Sequence, residues 1–238
     1  MTLDGTNTWL ISAPGSNAGI VIDPGPDDER HLTAVLQAAE DRGVRVVSTL
    51  LTHGHLDHSA GARRFAQRSG SEVRALDPAH RYGGEGLVDG EVIELDGLRL
   101  EVVTTPGHTT DSLSFLLPGL RALLTGDTVL GRGTAVIAHP DGRLGEYLTS
   151  LTRLRNLCTS TKVDLLLPGH GPVLAQPADV LQGYLTHREA RLDQVRQAVA
   201  AGARTAPEVV ALVYVDVDPS LHWAAELSVR AQLDYLEQ

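Results

Sequence analysis

The sequence predicts an α+β fold followed by a helical C-terminal part. Up to about residue 173, short runs of β-branched residues and leucine alternate with turns rich in glycine and proline, and some are separated by amphipathic helical segments. After Pro177, the strand-like runs give way to segments with a helical spacing of apolar residues. The 238 residues, 42% of them hydrophobic, suffice for one domain with a smaller appendage. We therefore expect a mixed domain over residues 1–174 and a helical subdomain over residues 175–238.

The elements of the first domain follow from the spacing of its apolar residues. A hairpin is expected at the start, with Pro14-Gly15 joining its strands, and Asp96-Gly97 is expected to close a tighter hairpin. The expected helices are Asp28–Arg42, Ala60–Ser69 and Leu144–Leu157. The expected strands are Thr8–Ser12, Ala18–Ile22, Val44–Leu51, Val73–Leu76, Val92–Leu95, Leu98–Thr105, Leu113–Leu117, Arg121–Thr125 and Val163–Leu167.

Helices account for the C-terminal part. They are expected at Ala178–Ala201, Pro207–Tyr214 and Leu221–Leu236. Thr205 has the position of an N-cap for the second of them, because Pro207 lies in the first turn and Glu208 stands at the spacing of a capping box.

Composition and charge narrow the classes of function. The formal net charge of -10 disfavours a dedicated nucleic-acid binder, because an acidic surface repels polyanions. The single cysteine, Cys158, excludes an intrachain disulfide and is expected to be buried. Met1–Ile11 has neither the basic start nor the apolar run of a signal peptide, and no segment reaches the roughly 20 apolar residues of a membrane span. We therefore expect a cytoplasmic protein without a membrane partner.

The residues that carry chemistry begin in one segment after a predicted strand. Three imidazoles and one carboxylate fall within six residues of Thr52-His53-Gly54-His55-Leu56-Asp57-His58. Imidazole nitrogen and carboxylate oxygen are ligands that zinc accepts. Gly54 and the i, i+2 spacing do not fit the i, i+4 histidine pair of a helical zinc site, so His53–Ser59 is expected to be a loop. Taken alone, the segment leaves a histidine-rich surface loop as the alternative.

Three later segments repeat the same arrangement of a strand, a glycine and one ligand-type residue. They are Thr104-Thr105-Pro106-Gly107-His108, Leu123-Leu124-Thr125-Gly126-Asp127 and Leu166-Leu167-Pro168-Gly169-His170-Gly171. Glycine lets the backbone turn sharply at each strand end. Four such loops at one edge of a sheet would bring together five histidines and two aspartates. That number suffices for two adjacent metal ions with one carboxylate left to bridge them.

The ordered motifs THxHxDH, PGHT, TGD and PGHG resemble those of the metallo-β-lactamase superfamily over residues 1 to about 173. The resemblance implies an αββα sandwich with two zinc ions at its edge. It implies that His53, His55 and His108 hold one zinc ion, that Asp57, His58 and His170 hold the second, and that Asp127 bridges both.

A closer resemblance is to the β-lactamase-like protein 2 family. It rests on Gly5-Thr6-Asn7-Thr8-Trp9, Pro106–Ser112, Leu130–Thr134, Gly169–Pro172 and a helical tail that carries Tyr184, His187 and Arg188. The tail is similar to that family's winged-helix-like appendage, and it is expected to be helical throughout because the family's β wing would begin near Gln238. The family includes an endoribonuclease for single-stranded RNA.

The expected mechanism follows from a dinuclear zinc site. Two zinc ions sharing a water lower its pKa, so that a metal-bridging hydroxide serves as the nucleophile and no serine or cysteine is needed. Asp57 is the expected catalytic residue, since it can orient the hydroxide or accept its proton. The same chemistry suits esters, thioesters, lactones and phosphodiesters.

Three functions remain open from the sequence. A hydrolase of small esters or thioesters ranks first, a metal-dependent endoribonuclease second, and a non-catalytic scaffold or regulatory module third. Arg63, Arg64, Arg188 and Arg191 are candidate phosphate contacts, and Tyr184 is the best-placed residue for stacking a base, but aromatic residues make up only 4% of the chain. β-Lactamase activity is not expected, because those enzymes usually replace the aspartate at position 127. A small-molecule substrate is thus favoured over RNA, no protein partner is implied, and the oligomeric state is open.

Overall fold

A computed structural model describes residues 5–237, so part of the segment searched for a signal peptide, residues 1–4, lies outside the described residues. The described chain forms ten strands and seven α-helices. The strands are β1 (Trp9–Ile11), β2 (Ala18–Ile22), β3 (Arg45–Leu50), β4 (Glu72–Arg74), β5 (Val92–Leu95), β6 (Leu98–Thr104), β7 (Leu113–Leu117), β8 (Ala122–Gly126), β9 (Leu165–Pro168) and β10 (Leu174–Ala175). The helices are α1 (Glu29–Glu40), α2 (Leu56–Ser59), α3 (Ala62–Ser69), α4 (Leu144–Thr161), α5 (Pro177–Ala200), α6 (Ala206–Val213) and α7 (His222–Glu237).

The strands form two sheets. The first has the order β1-β2-β3-β4, in which β1 and β2 are the predicted antiparallel hairpin and β2, β3 and β4 are parallel. The second has the order β10-β9-β8-β7-β6-β5, and all its neighbours are antiparallel except β8 and β9. Asp96 and Gly97, which join β5 to β6, both have positive φ angles of 46° and 89°, as the predicted tight hairpin requires.

Strand alternation produces the layers of the first sheet. Ile20 and Ile22 of β2 point to one face and join a core shared with the second sheet. Val21, between them, points to the other face and packs with Leu32 of α1 and Phe65 of α3. The first sheet is therefore covered by helices on its outer face.

The second sheet repeats this arrangement in mirror order. Phe115 of β7 faces the first sheet, whereas the adjacent Leu116 faces outward and packs with Tyr147 and Leu151 of α4 and with Leu181 of α5. The four layers are helix, sheet, sheet and helix, which confirms the αββα sandwich.

Helix α5 belongs to two cores at once. Its first half contributes Leu181 to the sandwich core, and its second half contributes Val195 to a separate core with Val209 of α6 and Val229 of α7. The predicted boundary between residues 174 and 175 stays a prediction. The N-cap prediction is confirmed, since the Thr205 side chain accepts a hydrogen bond from the Glu208 backbone in a capping box.

Two local predictions were wrong. Residues 56–59, predicted as part of a loop, form α2, because the segment after Gly54 contains no further helix breaker and Asp57 favours the first turn of a helix. The two-residue strand β10 was not predicted, since a run this short leaves no periodic signal. Cys158 is buried as predicted, and burial raises the pKa of its thiol to about 12. No described helix combines the length and apolar character needed to cross a membrane.

Candidate metal centre

Strand direction brings the chemistry-bearing loops to one edge of the sandwich. Strands β6 and β8 both run antiparallel to β7, and β9 runs parallel to β8, so these three strands end at the same edge. His108, Asp127 and His170 follow those ends. The segment after β3 joins them from the other sheet, since the backbone N–H of Leu113 donates to the carbonyl of Thr52 at 2.7 Å.

The first group of donors contains His53, His55, His108 and Asp127, whose donor atoms all lie within 4.8 Å of one another. Nδ1 of His55 lies 3.0 Å from Nε2 of His53 and 3.1 Å from Nε2 of His108. Tetrahedral zinc with Zn–N bonds of about 2.0–2.1 Å separates its nitrogen ligands by roughly 3.3 Å. The spacing of the three ring nitrogens is therefore close to that of a shared metal ion.

The second group contains Asp57, His58 and His170, again with donor atoms within 4.8 Å of one another. Nε2 of His170 lies 3.3 Å from Oδ2 of Asp57 and 3.3 Å from Oδ2 of Asp127. The same Oδ2 of Asp127 lies 3.6 Å from Nε2 of His108 in the first group. The structure thus brings together all seven residues singled out in the sequence, with Asp127 between the two groups.

The far ring nitrogens of the histidines are held by hydrogen-bond partners. Nδ1 of His108 contacts the carbonyl of Val136 at 2.8 Å, and Nδ1 of His170 contacts the carbonyl of Gly5 at 2.8 Å. A carbonyl only accepts, so each Nδ1 carries a proton, and each Nε2 is the ring nitrogen left to bind a metal ion. Such outer contacts fix the orientation and tautomer of metal-binding histidines.

Asp23 is the residue at this centre that sequence analysis missed. The side chain of Asp23 is buried and accepts hydrogen bonds from the backbone N–H of Thr52 at 2.8 Å and from the Thr52 hydroxyl at 2.7 Å. Its Oδ2 also lies 2.8 Å from Nδ1 of His58. Asp23 thereby joins the end of β2 to the histidine segment and orients His58. The signal was an aspartate directly after a buried strand, as at Asp127.

We expect Asp23→Asn to weaken zinc binding by about 10- to 100-fold, the usual effect of removing an outer partner of a metal-binding histidine. Asparagine tolerates the φ of 51° at this position, so the backbone is preserved. Its amide NH₂ group cannot accept, so either His58 or Thr52 loses its acceptor. Competition with a chromogenic chelator measures the affinity. Asp164→Asn, at an exposed ion pair with Arg121, is the control, and equal affinities in the two variants would contradict the role of Asp23.

The N-terminal segment Gly5-Thr6-Asn7 makes hydrogen bonds to the second group of donors and to the backbone around His170. The hydroxyl of Thr6 donates to Oδ2 of Asp57 at 3.0 Å, and the Asn7 amide donates to the carbonyls of Pro168 and Gly171. Together with the contact between the Gly5 carbonyl and His170, these bonds give a structural role to a motif that the sequence singled out only by resemblance.

Carboxylates control the protonation of the buried histidines in the second group. Burial by itself lowers the pKa of His58, but attraction to Asp23 and Asp127 outweighs it and raises the pKa to about 10. Burial likewise opposes protonation of His170, and the carboxylates of Asp127 and Asp57 raise its pKa to about 10. The carboxylates therefore favour the protonated form of each imidazole when no metal ion neutralises them.

In the first group of donors, the pKa values of the buried histidines are lowered rather than raised. Burial, followed by repulsion from His58 and His108, holds the pKa of His53 well below its usual value, and burial also lowers the pKa of His108. Burial works against ionisation of Asp127, but hydrogen bonding and attraction to His170 and His58 hold its pKa well below the usual range. Neutral imidazoles beside an ionised carboxylate are the forms that bind a metal ion.

Zinc binding is expected to release at least one proton at pH 7, because the carboxylates favour protonation of His58 and His170, and a protonated imidazole must lose its proton to become a ligand. Both pKa values lie near 10, so zinc affinity falls as the pH is lowered from 10 and rises as the pH approaches 10. Calorimetric titration of chelator-treated protein in two buffers of different ionisation enthalpy counts the protons. Zinc uptake without proton release would contradict the assignment of these histidines as ligands.

The surroundings of the Asp127 carboxylate provide a further test of whether the donor groups suit metal ions. Oδ1 of Asp127 is buried and has no hydrogen-bond partner within the described part of the chain. Nε2 of His58, 3.5 Å away, is within ion-pair range but lacks hydrogen-bond geometry. Buried carboxylates are normally paired or bind a cation. Imidazole nitrogens and carboxylate oxygens are also the donors that zinc prefers.

The other sequence candidates lie apart from the two groups or serve as packing. Tyr184 is buried, and its hydroxyl contacts the backbone of Leu130 and Gly133, so it cannot stack an RNA base as the sequence suggested. Arg64 is bound by Asp27 and Glu29. His80 belongs to a third, partly exposed donor group with Asp77 and Asp111.

Comparisons with known proteins give the family. The model of the metallo-beta-lactamase superfamily matches residues 1–170, and the model of a beta-lactamase associated winged helix domain matches residues 205–238. Within the described residues of the second match, 205–237, the structure has helices and no strand, as the sequence predicted.

Curated relatives carry lactamase-like and thioesterase names. "Lactamase-like protein aptB" of Emericella nidulans is 34% identical over 82% of this chain, which spans only 60% of that protein's length. "Atrochrysone carboxyl ACP thioesterase" of Aspergillus fumigatus is 31% identical over 90% of this chain and 70% of its own length. "Beta-lactamase-like protein 2 homolog" of Drosophila melanogaster is 32% identical over 100% of this chain and 84% of its own length.

The same fold occurs among solved structures. A beta-lactamase domain protein from Burkholderia ambifaria superimposes with a TM-score of 0.83 at 23% identity, covering 100% of this chain and 83% of that one. The family match over residues 1–170, the relatives and the αββα layers agree. The chain belongs to the metallo-beta-lactamase superfamily.

Proposed function

We propose that the chain is a zinc-dependent hydrolase that binds two metal ions and cleaves a small ester or thioester. The observation that carries the proposal is the convergence of seven imidazole and carboxylate side chains into two adjacent donor groups, with Asp127 between them. His53, His55 and His108 would hold one ion, Asp57, His58 and His170 the other, and Asp127 both. When bound, the ions would supply Lewis acidity and lower the pKa of water.

Asp57 is the residue proposed to move the proton. Its side chain is 32% exposed, against 10% for Asp127, so it can contact water or substrate beside the buried donors. The hydroxyl of Thr6 donates to its Oδ2 and fixes the orientation of the carboxylate. Asp57 would accept a proton from the attacking water and return it to the leaving alcohol or thiol, so that ester and water give acid and alcohol or thiol.

Three observations support a small acyl substrate. Leu56, directly before Asp57, is 75% exposed and offers an apolar contact beside the proposed catalytic carboxylate. One relative bears the name "Atrochrysone carboxyl ACP thioesterase", which describes that protein as acting on a thioester. The net charge of -10 does not disfavour binding of a neutral acyl chain, whereas it disfavours binding of a polyanion.

RNA cleavage is the second candidate, because the family of β-lactamase-like protein 2 homologues is also represented among the relatives. The structure removes part of the support for it. Tyr184 is buried and Arg64 is already paired with carboxylates, so two of the proposed RNA contacts are occupied.

The proposal is tested by an activity panel with and without chelator. The substrates are an acyl thioester, S-lactoylglutathione, a lactone, bis-p-nitrophenyl phosphate and a labelled single-stranded RNA, each tested with wild type and with Asp57→Ala purified identically. We expect turnover of a thioester or ester that chelator abolishes and zinc restores. Multiple-turnover RNA cleavage that Asp57→Ala lacks, with inert esters, would reverse the order of the two candidates, and chelator-insensitive hydrolysis would contradict both.

A further inference from the structure

A cavity separate from the candidate metal centre lies between the segment after Asp127 and the C-terminal helices. It has a volume of about 350 Å³, within the range of small-molecule sites. One wall consists of residues 134–136. The opposite wall is formed by α5, by the loop that follows α6, and by α7. The polar residues that line it are concentrated on α5, at His187, Arg188 and Arg191, while Tyr214, Leu221 and Ala225 are among its apolar lining.

Arg188 is a buried cation that has no acidic partner among the described residues. Its side chain is only 6% exposed, and no carboxylate within residues 5–237 lies at ion-pair distance from it. One terminal nitrogen donates to the carbonyl of Ala135, the guanidinium lies 5.0 Å from the Tyr147 ring centre, and Nε has no hydrogen-bond partner among the described residues. Buried charges are normally paired, so this guanidinium is incompletely compensated.

Arg191 adds a second positive charge to the same cavity. Its guanidinium lies 4.4 Å from the centre of the Tyr214 ring, and it donates to the carbonyl of Val213 and the side chain of Gln194. Partial burial lowers the pKa of His187, and the nearby charges of Arg188 and Arg191 lower it further. His187 is therefore available as a neutral hydrogen-bonding group beside two cations.

The lining contains no aspartate or glutamate among its described residues. The chain as a whole has 30 acidic and 20 basic residues, so a cavity with two arginines and no carboxylate departs from the average charge. Packing alone explains the bond from Arg188 to Ala135. It does not explain why Arg191 and His187 face the same cavity.

We propose that this cavity binds a carboxylate or phosphate group attached to an apolar chain or ring. Arg188 and Arg191 are the charge partners, since a guanidinium binds either anion through paired N–H groups. The apolar wall of Val136, Leu221 and Ala225 accommodates the attached group. The anion is either a remote part of the hydrolysed substrate, in which case this inference rests on the proposed function, or a separate small molecule.

The cavity is adjacent to the candidate metal centre. Val136 lines the cavity, and its carbonyl contacts Nδ1 of His108 at 2.8 Å. Ala135, the neighbouring residue, accepts the hydrogen bond from Arg188. An anion bound to Arg188 therefore lies behind the backbone that orients His108.

Calorimetric binding of octanoate, octyl phosphate and octanol tests the inference on the intact chain. We expect both anions to bind and octanol to bind at least about tenfold more weakly, because charge-assisted hydrogen bonds are lost. Arg191→Gln should weaken binding of both anions by about tenfold, and Arg188→Lys by less than Arg188→Gln, since it keeps the charge. Arg196→Gln, on the same helix and outside the cavity lining, should leave binding unchanged.

Anion binding that Arg191→Gln does not weaken, or equal binding of octanoate and octanol, would overturn the proposal. A kinetic comparison then identifies the source of the anion. If Arg191→Gln raises KM only for thioesters with a carboxylate at the far end of the acyl chain, the anion is part of the substrate. If octanoate alters hydrolysis of an uncharged thioester in wild type but not in Arg191→Gln, the anion is a separate ligand. Failure of every ester and every thioester would refute the proposed function and leave the binding result intact.

Discussion

Asp57→Ala is expected to lower kcat by about 10²- to 10⁴-fold, the range for loss of a positioned general base. Asp57 is also one of the proposed ligands of the second ion, so the loss lies at the upper end if that ion binds less tightly. Folding should be affected far less, because the 32% exposed side chain lies at the edge of the sandwich and contributes nothing to its apolar cores.

Rate measurement paired with a thermal melt separates the two effects. Asp164→Ala is a matched control, because Asp164 is an exposed aspartate at an ion pair with Arg121, beside the start of β9 and away from the strand ends that carry the donors. The control should keep wild-type turnover. A folded Asp57→Ala protein with near wild-type turnover would remove Asp57 from the mechanism.

Gly169→Ala is expected to abolish tight binding of at least one metal ion and, with it, turnover. A Cβ atom at position 169 would lie 2.5 Å from Oδ1 of Asp127 and 2.8 Å from Cε1 of His58, closer than nonbonded atoms approach. Either the proposed bridging carboxylate or the histidine must move. The accompanying loss of stability should be about 1–3 kcal/mol, typical of overpacking.

Gly183→Ala is the matched control, because it is the same substitution at a position where the added methyl group meets no steric obstacle. Position 183 lies within α5, and apart from the adjacent backbone of α5 itself no described heavy atom lies within 4 Å of a Cβ atom placed there. Alanine should stabilise the helix by about 0.5–1 kcal/mol and leave metal content unchanged. Metal content and activity are measured on both variants, and a Gly169→Ala protein with full metal content would show that Asp127 and His58 do not hold metal ions.

Much of the fold was predictable because its signals are local. The alternation at Ile20, Val21 and Ile22 and the glycine turns set the strands. The four strand-end motifs were enough to single out seven residues that the structure places together. Each of those residues follows a strand by only a few positions, so chain direction alone carries it to the shared edge.

The features that the sequence did not predict depend on contacts between segments that are distant in the chain. Asp23 directly follows a strand, as Asp127 does, but it is 35 residues from His58 in sequence, so the local pattern could not show that its carboxylate contacts that imidazole. Tyr184 lies 54 residues from the backbone that binds its hydroxyl, so its burial could not be predicted from helical spacing. The arginine-lined cavity likewise requires α5, the segment after Asp127 and α7 to be in contact.

Metal content per chain tests the central claim most directly. Protein purified without chelator and supplemented with zinc is passed through a desalting column, and bound metal is measured by atomic emission against protein concentration. The seven donors in two groups around Asp127 predict close to two equivalents, falling in an Asp127→Ala variant. A value near zero after zinc supplementation would contradict the dinuclear centre and the hydrolase proposed on it.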